Sequence, residues 1–341
     1  MGRPALRAVV AHAELELVGV VVSTSAKVGK DAGELCDLSP TGVRAVDSFA
    51  AAAAGGVDAV VYAASGDFRP GEALDDVEAC LRAGASVVTT SIYPLIHRDS
   101  APEPVKQRFE AACRAGGASV FVSGIDPGWA QDVLPLLLAG TCAEIEQVRV
   151  QEIFNYATYH APDAVRELVG LGRPLDSLPP MLLPSVPTLI WGGMLRTLAS
   201  ELDAGPLEIR EEVGTRPLPR SIEVPGMGVF EAGTLGAFRF EVQGWARGRA
   251  AFVIEHVTRI ADDLAPEWPS APEQGVHRVI VEGRPRLEAT LVARDGSTNP
   301  AEGGNATAAG RIVNAIPQVC ALEPGIVSAL DVWPSGRGQL V

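Results

Sequence analysis

The sequence predicts an α/β protein: a parallel sheet covered by helices, joined to a second, α+β domain whose sheet is mainly antiparallel. Three observations carry this. Over the first 140 or so residues, short apolar runs alternate with helical patterns, the rhythm of strands joined by crossover helices. Past that point apolar residues recur at every second position, as in strands with one solvated face. Glycine- and proline-rich connections at 174–187 and 214–228 break up the second half, where turns are needed.

The elements follow in order. Residues 1–10 read as the opening of an amphipathic helix, with Pro4 in the first turn and Leu6, Val9 and Val10 at helical spacing. A strand is expected over 15–22. The run 58–64 is apolar throughout, suiting a strand buried on both faces. A helix over 72–83 stops at Gly84, and another over 105–114 stops at Gly116 and Gly117. Strands 85–90 and 120–122 complete a Rossmann-type series. In such a series a buried strand and a G-x-G-x-x-G turn precede the first helix. Only the last of these glycines, Gly2, is present here, so the first strand is missing from the series. Strands of the second domain are expected at 148–154, 238–242, 251–260, 279–281 and 287–291. Residues 303–316 read as a glycine turn entering a late helix that returns to the first domain. The expected domains are 1–140, 141–300 and 301–341.

Composition narrows the functional classes. A formal charge of −14 over 341 residues leaves no basic stripe for nucleic acid or an anionic membrane. The five cysteines, at 36, 80, 113, 142 and 320, form no C-x-x-C pair and fit free thiols in a reducing compartment. There is no apolar run of about 18 residues and no signal-peptide core, so a cytoplasmic protein is expected. Edge strands in the second domain fit a homodimer. No G-x-S-x-G elbow, H-E-x-x-H helix or complete phosphate-binding loop occurs, and no metal site is expected.

In parallel sheets of this kind the ligand lies beyond the carboxyl ends of the strands. The Gly2 helix start is one candidate cofactor contact. Ser23, Thr24, Ser25 and Lys27 follow the 15–22 strand, where an NAD-selective fold usually places a carboxylate. We read them as holding a 2′-phosphate, hence NADP with NAD as the alternative; the bland reading is a hydrophilic turn. Ala63 and Ala64 would let a cofactor lie against backbone, and equally suit any tight turn. Thr90 and Ser91, with Asp126 and Pro127 across the crevice, are the expected nicotinamide neighbours, although Asp126 can also simply shape its turn and cap the next helix. Proton transfer needs an acid near the substrate. Tyr93 and His160 are the catalytic candidates, with His97, Tyr156 and Tyr159 as others.

Several spaced motifs together resemble one family. They are Gly2-Arg3-Pro4-Ala5-Leu6-Arg7-Ala8, the stretch from Lys27 to Leu35, Gly124-Ile125-Asp126-Pro127-Gly128, Asp132-Val133-Leu134-Pro135, and Ala306-Thr307-Ala308 with Val313-Asn314-Ala315-Ile316-Pro317. The family is the dihydrodipicolinate-reductase-like group that includes 2,4-diaminopentanoate dehydrogenase and the native amine dehydrogenases. The resemblance implies a Rossmann domain, an α+β domain for substrate and dimer contacts, and nicotinamide-dependent hydride transfer on a small imine or amine, with a carbonyl as a further option. It also implies two departures. A glutamate expected soon after the Thr-Thr of the third strand end is replaced by Ser91-Ile92-Tyr93, and Tyr159-His160 is at most a remnant of the reductases' double-histidine and lysine motif. A cofactor-binding sensor without turnover is therefore the alternative reading. Relatives read G-x-G-N-V-G-R into the first helix, which puts Met1 where a valine stands. A GTG codon taken as the start would account for this, and the expectation is a chain short by about one strand and turn.

Overall fold

The computed structural model describes residues 1–159, 161–271, 275–296 and 300–334. In chain order the elements are α1 (Gly2–Ala11), β1 (Val20–Val21), α2 (Ala32–Leu35), β2 (Ala45–Val46), α3 (Phe49–Ala52), β3 (Ala59–Tyr62), α4 (Pro70–Arg82), β4 (Ser86–Thr89), α5 (Glu103–Gly116), β5 (Val120–Val122) and α6 (Val133–Ala139). There follow β6 (Glu144–Asn155), α7 (Val186–Glu201), β7 (Glu208–Pro217), β8 (Ile222–Val224), β9 (Gly228–Phe230), β10 (Leu235–Ala246), β11 (Arg249–Arg259), β12 (Gly275–Arg284), β13 (Leu287–Leu291), α8 (Pro300–Ala321) and β14 (Ile326–Val327). Two units result, one of residues 1–124 with the described part of 305–341, the other of residues 125–304.

The first unit carries the parallel strands. β14, β5, β4 and β3 form one sheet in that order, and β1 pairs with β2 in another, all parallel. Val87, Val88, Val120 and Phe121 of β4 and β5 are fully buried, which is why these stretches read as unbroken apolar runs. The helices before them end as their glycines require. Gly84 has φ +90°, and Gly117 caps α5 in the left-handed region at φ +66°, a conformation that a Cβ disfavours.

Two expectations need correction here. The strand expected over 15–22 contracts to Val20–Val21, and Val18 and Val21 are each 49% exposed. Its hydrogen-bonding neighbour is β2 alone, and β1 with β2 stands apart from the four-stranded sheet instead of continuing it. A strand with one short partner has little ladder to extend. The glycine turn expected at 303 is also absent. Gly303, Gly304 and Gly310 lie inside α8. A Cβ on Gly303 would fall 2.2 Å from the Ala293 carbonyl carbon, so close backbone approach selects glycine there.

The second unit is built on a six-stranded sheet of order β13-β12-β6-β11-β10-β7. Every pair is antiparallel except β6 with β11. β8 and β9 make a separate hairpin. One sheet face carries Val150, Val279 and Val281, against which Leu134 and Leu138 of α6 pack. The same face, farther along, takes α7. The sequence reading assigned no helix to 186–201, because α7 is apolar around most of its surface, burying Trp191, Met194, Leu195 and Leu198. Such a helix lacks the polar stripe that makes an amphipathic period legible. The opposite face carries an apolar cluster of Ile153, Val257 and Val276 and, beside it, a polar network. Arg149 donates to Glu241 at 2.7 Å and to Glu255 at 2.6 Å, Arg239 pairs with both carboxylates, and Gln151 donates to Glu255 at 2.8 Å.

Candidate active site

The chemistry-bearing residues of the second unit lie on one rung of its sheet. His277 of β12 stands opposite Glu152 of β6, Glu152 opposite His256 of β11, and His256 opposite Phe240 of β10. Residues paired in register share a face, so two imidazoles and a carboxylate stand side by side. A fourth group meets them from outside the sheet. Asp126, on the turn closed by the Ile125–Gly128 bridge, accepts hydrogen bonds from Trp191 Nε1 at 2.7 Å and from His256 Nε2 at 2.9 Å. The Trp191 ring, carried by α7, packs on both His256 and Phe240, with centroids 4.4 and 4.9 Å away.

The Asp126 carboxylate is only 1% exposed. Burial alone would raise its pKa, but His256, His277 and the Trp191 N–H outweigh burial and hold it below its ordinary value. Burial likewise disfavours charge on His256, and the facing Asp126 carboxylate overrides it, raising the imidazole. Both shifts describe one pair, in which each partner favours the charged form of the other. Tyr156 begins the short turn after β6, which is fixed by Asn155 Oδ1 accepting from Ala157 N at 2.9 Å. Its hydroxyl donates to Glu152 Oε1 at 3.3 Å, and its ring stacks on Tyr159 with centroids 5.2 Å apart. Burial first, then the Glu152 carboxylate, push the phenol well above its ordinary value. At neutral pH it therefore keeps its proton and can donate it.

This arrangement combines a buried ion pair, a second carboxylate and a neutral phenol, the parts needed for proton transfer beside a cationic or developing-cationic centre. Among the described residues, Asp126, Glu152 and His277 are the group that could hold a small cation, with one donor atom each and all three atoms within 4.8 Å of one another.

The sequence candidates in the first unit sit at strand ends. Ser23 and Thr24 follow β1, and Ser25 and Lys27 belong to the exposed single turn Ser25–Lys27. Among the described residues, the Lys27 ammonium has no ion pair or hydrogen bond. Ala63 and Ala64 follow β3, and the Ala64 carbonyl accepts from Ser91 Oγ at 2.5 Å. Thr90 follows β4, at the foot of the same loop. There Thr89 Oγ1 donates to the Tyr62 carbonyl at 2.8 Å and accepts from Ser91 N at 3.0 Å. The loops after β3 and β4 are locked together at Gly66, where a Cβ would fall 2.3 Å from the Ser91 carbonyl oxygen. Gly2 opens α1 with no atom within 4 Å of where a Cβ would be.

Of the catalytic candidates, Tyr93 donates to Asp67 at 3.1 Å, and His97 Nδ1 lies 2.8 Å from Ser100 Oγ in a local turn. His160 lies outside the described residues. Asp126 and Pro127 share the turn in the second unit, where the Asp126 carboxylate is committed to His256 and Trp191. The cap of α6 is Asp132, which accepts from Val133 N at 2.5 Å, and not Asp126. Sequence reasoning passed over Glu152, Trp191, His256 and His277. One signal was available: His256 interrupts an inward-facing apolar series, Phe252, Ile254, Thr258, at the position of a core residue.

Comparison with known proteins bears on this geometry. Residues 1–92 match the family model for the N-terminus of dihydrodipicolinate reductase. Over 335 residues the chain is 51% identical to an amine dehydrogenase from Streptomyces virginiae, covering 97% of this chain and 93% of that protein. The chain belongs to the dihydrodipicolinate-reductase-like amine dehydrogenase family. It is a nicotinamide-dependent oxidoreductase. The structure of an amine dehydrogenase from Mycobacterium smegmatis superposes with a TM-score of 0.72 at 20% identity, covering 97% of this chain and 94% of that one, so the two share a fold.

A nicotinamide coenzyme fits the residues present in the first unit. The α1 start has no side-chain cap and no acid in its first turn, which leaves backbone N–H groups for a phosphate. The strand-end loops offer small and hydroxyl residues at Ala63, Ala64, Thr90 and Ser91, and an exposed lysine at Lys27.

Proposed function

We propose that this amine dehydrogenase family member interconverts a small primary amine and its carbonyl compound through an imine, with NADP preferred over NAD. The observation that carries this reading is the buried Asp126–His256 pair set beside Glu152, His277 and Tyr156, because amine oxidation needs proton acceptors next to a cationic nitrogen. The bound coenzyme supplies or accepts the hydride at the carbon bearing nitrogen. Loss of hydride from that carbon leaves an iminium cation, which the carboxylates of Asp126 and Glu152 stabilise electrostatically. Water adding to the iminium carbon must lose a proton, and Glu152 takes it after releasing the amine's proton to solvent on its exposed side. In the reverse direction protonated Glu152 returns that proton to the departing hydroxyl, directly or relayed through the Tyr156 phenol hydrogen-bonded to it. We assign proton transfer to Tyr156 and Glu152 in preference to Tyr93, whose hydroxyl donates to Asp67.

Ser23, Thr24, Ser25 and Lys27 support the NADP preference, since they present hydroxyls and an ammonium where an NAD-selective site presents a carboxylate. The test is steady-state oxidation of NADPH with a panel of aldehydes and ketones, with and without ammonia, and reduction of NADP by amines. Ammonia-dependent turnover is expected. Tight coenzyme binding with no turnover on any of these substrates would replace the reading with that of a sensor. An assembly of two copies is also part of this reading, supported by the open edge strands β7 and β13.

A further inference from the structure

We propose that the nitrogen of the substrate, as ammonium or as the amine it becomes, is bound between Asp126 Oδ2, Glu152 Oε2 and His277 Nε2. This rests on the amine reading above and deepens it by locating the nitrogen on the second unit.

The first observation is an unsatisfied group. His277 is buried, its side chain 4% exposed, and among the described residues Nε2 has no hydrogen-bond partner. That atom is aimed at two carboxylates it does not reach, 3.5 Å from Glu152 Oε2 and 3.8 Å from Asp126 Oδ2. A buried nitrogen left without a partner is costly, and a donor seated between the three atoms would satisfy it.

The second observation concerns which oxygens remain available. Asp126 Oδ1 is taken by Trp191 and His256, whereas Oδ2 shares only His256 and faces His277. Glu152 Oε1 accepts from Tyr156, which leaves Oε2 toward His277. Glu152 is 15% exposed and is the open side of the group.

The spacing admits two kinds of cation. Three atoms within 4.8 Å of one another can all be reached from a central nitrogen at the usual hydrogen-bond distance of about 2.9 Å. An ammonium has enough N–H groups for all three, with His277 acting as an acceptor. A tetrahedral zinc, at about 2.1 Å from its ligands, requires ligand atoms about 3.4 Å apart. The separations of 3.5 and 3.8 Å lie nearer that figure than the ~4.7 Å of an ideal tetrahedral ammonium, so the choice of cation rests on the surroundings and not on the spacing. The surroundings are those of an organic cation, with Phe154 edge-on to His277 at 5.4 Å and the Tyr156–Tyr159 stack on the same side of the sheet rung. Proton balance follows directly. The bound ammonium gives one proton to Glu152, which leaves a neutral amine whose lone pair can assist departure of hydride from the neighbouring carbon.

The test compares the unsubstituted enzyme with Glu152→Gln and His277→Asn, two variants so that a folding defect in one leaves the other informative. The KM for ammonia at saturating carbonyl compound and NADPH is expected to rise about ten-fold or more in each. The KM for the carbonyl compound and the Kd of NADPH should stay within about two-fold, because neither contact is lost. Calorimetric titration with methylammonium chloride, which needs no turnover, should show binding to the unsubstituted protein and a comparable loss of affinity in the variants. An unchanged ammonia KM together with unchanged methylammonium binding would overturn the site while leaving the amine reading intact. Activity abolished by a chelator and restored by zinc would overturn it in favour of a metal. Absence of any turnover in the unsubstituted enzyme would instead remove the amine reading, and the methylammonium titration would then decide the site by itself.

Discussion

His256 shows how far this fold shifts a single side chain. Its imidazole is fully enclosed yet raised in pKa, because Asp126 sits 2.9 Å away and is itself lowered. A raised histidine contributes stability that is fully present below its unfolded value of about 6.5 and is lost as pH rises through the folded value. A lowered carboxyl contributes stability present above its unfolded value and lost as pH falls through the folded one. The stability difference between the unsubstituted protein and His256→Gln should therefore be greatest near pH ~5.5 and shrink toward pH ~9. Urea unfolding at the two pH values reads it, and a gap that grew with pH would contradict the ion pair. Lys27 offers a second prediction at this scale. Lys27→Ala should weaken NADPH much more than NADH, by about ten-fold for a lost charge-assisted contact; equal losses by fluorescence titration would show that Lys27 does not touch a 2′-phosphate. Neither Glu152 nor His277 stood out in the sequence. Each is one polar residue in an alternating strand, and alternation tells which face a residue occupies without telling what stands beside it.

Between elements, loop packing in the first unit and sheet register in the second set the positions of the candidate residues. The loops after β3 and β4 approach so closely that Gly66 has no room for a side chain. Gly66→Ala should cost about 1–3 kcal/mol through forced backbone displacement, and should also weaken coenzyme binding, since Ala64 and Ser91 move with it. Chemical denaturation and NADPH titration on one preparation would check both effects. The polar network of the second sheet makes a different prediction. Glu255 is 1% exposed and bonded to Arg149, Arg239 and Gln151, so Glu255→Gln should destabilise by about 3 kcal/mol by leaving two half-buried guanidinium groups poorly matched. A loss below about 1 kcal/mol would mean that water already screens this face. Helices α4 and α5 and strands β4 and β5 were legible from the sequence because their glycine stops and apolar runs are local signals. The 15–22 strand was overestimated because strand length depends on neighbouring strands, and α7 was missed because burial on nearly all sides erased its period.

For the whole molecule, coenzyme binding and proton chemistry fall, on the proposed reading, to separate stretches of chain. Bound NADPH should stabilise the protein by about 2.7 kcal/mol at a hundred times its Kd. Hydrogen-exchange protection should concentrate at 23–27, 63–66 and 90–91 of the first unit; protection confined to the second unit would refute the assignment of the strand ends. The amino-acid sequence by itself determined the alternation of strands and helices, the change to an antiparallel sheet, and the nicotinamide-dependent class through family motifs. These are short-range properties, written in periodicity and in residues that follow one another. Only the tertiary structure decided that Asp126, Glu152, Trp191, His256 and His277 form one group. They come from five segments between residues 126 and 277, and strand register, which arises from pairing across the sheet, is what places a histidine beside a carboxylate.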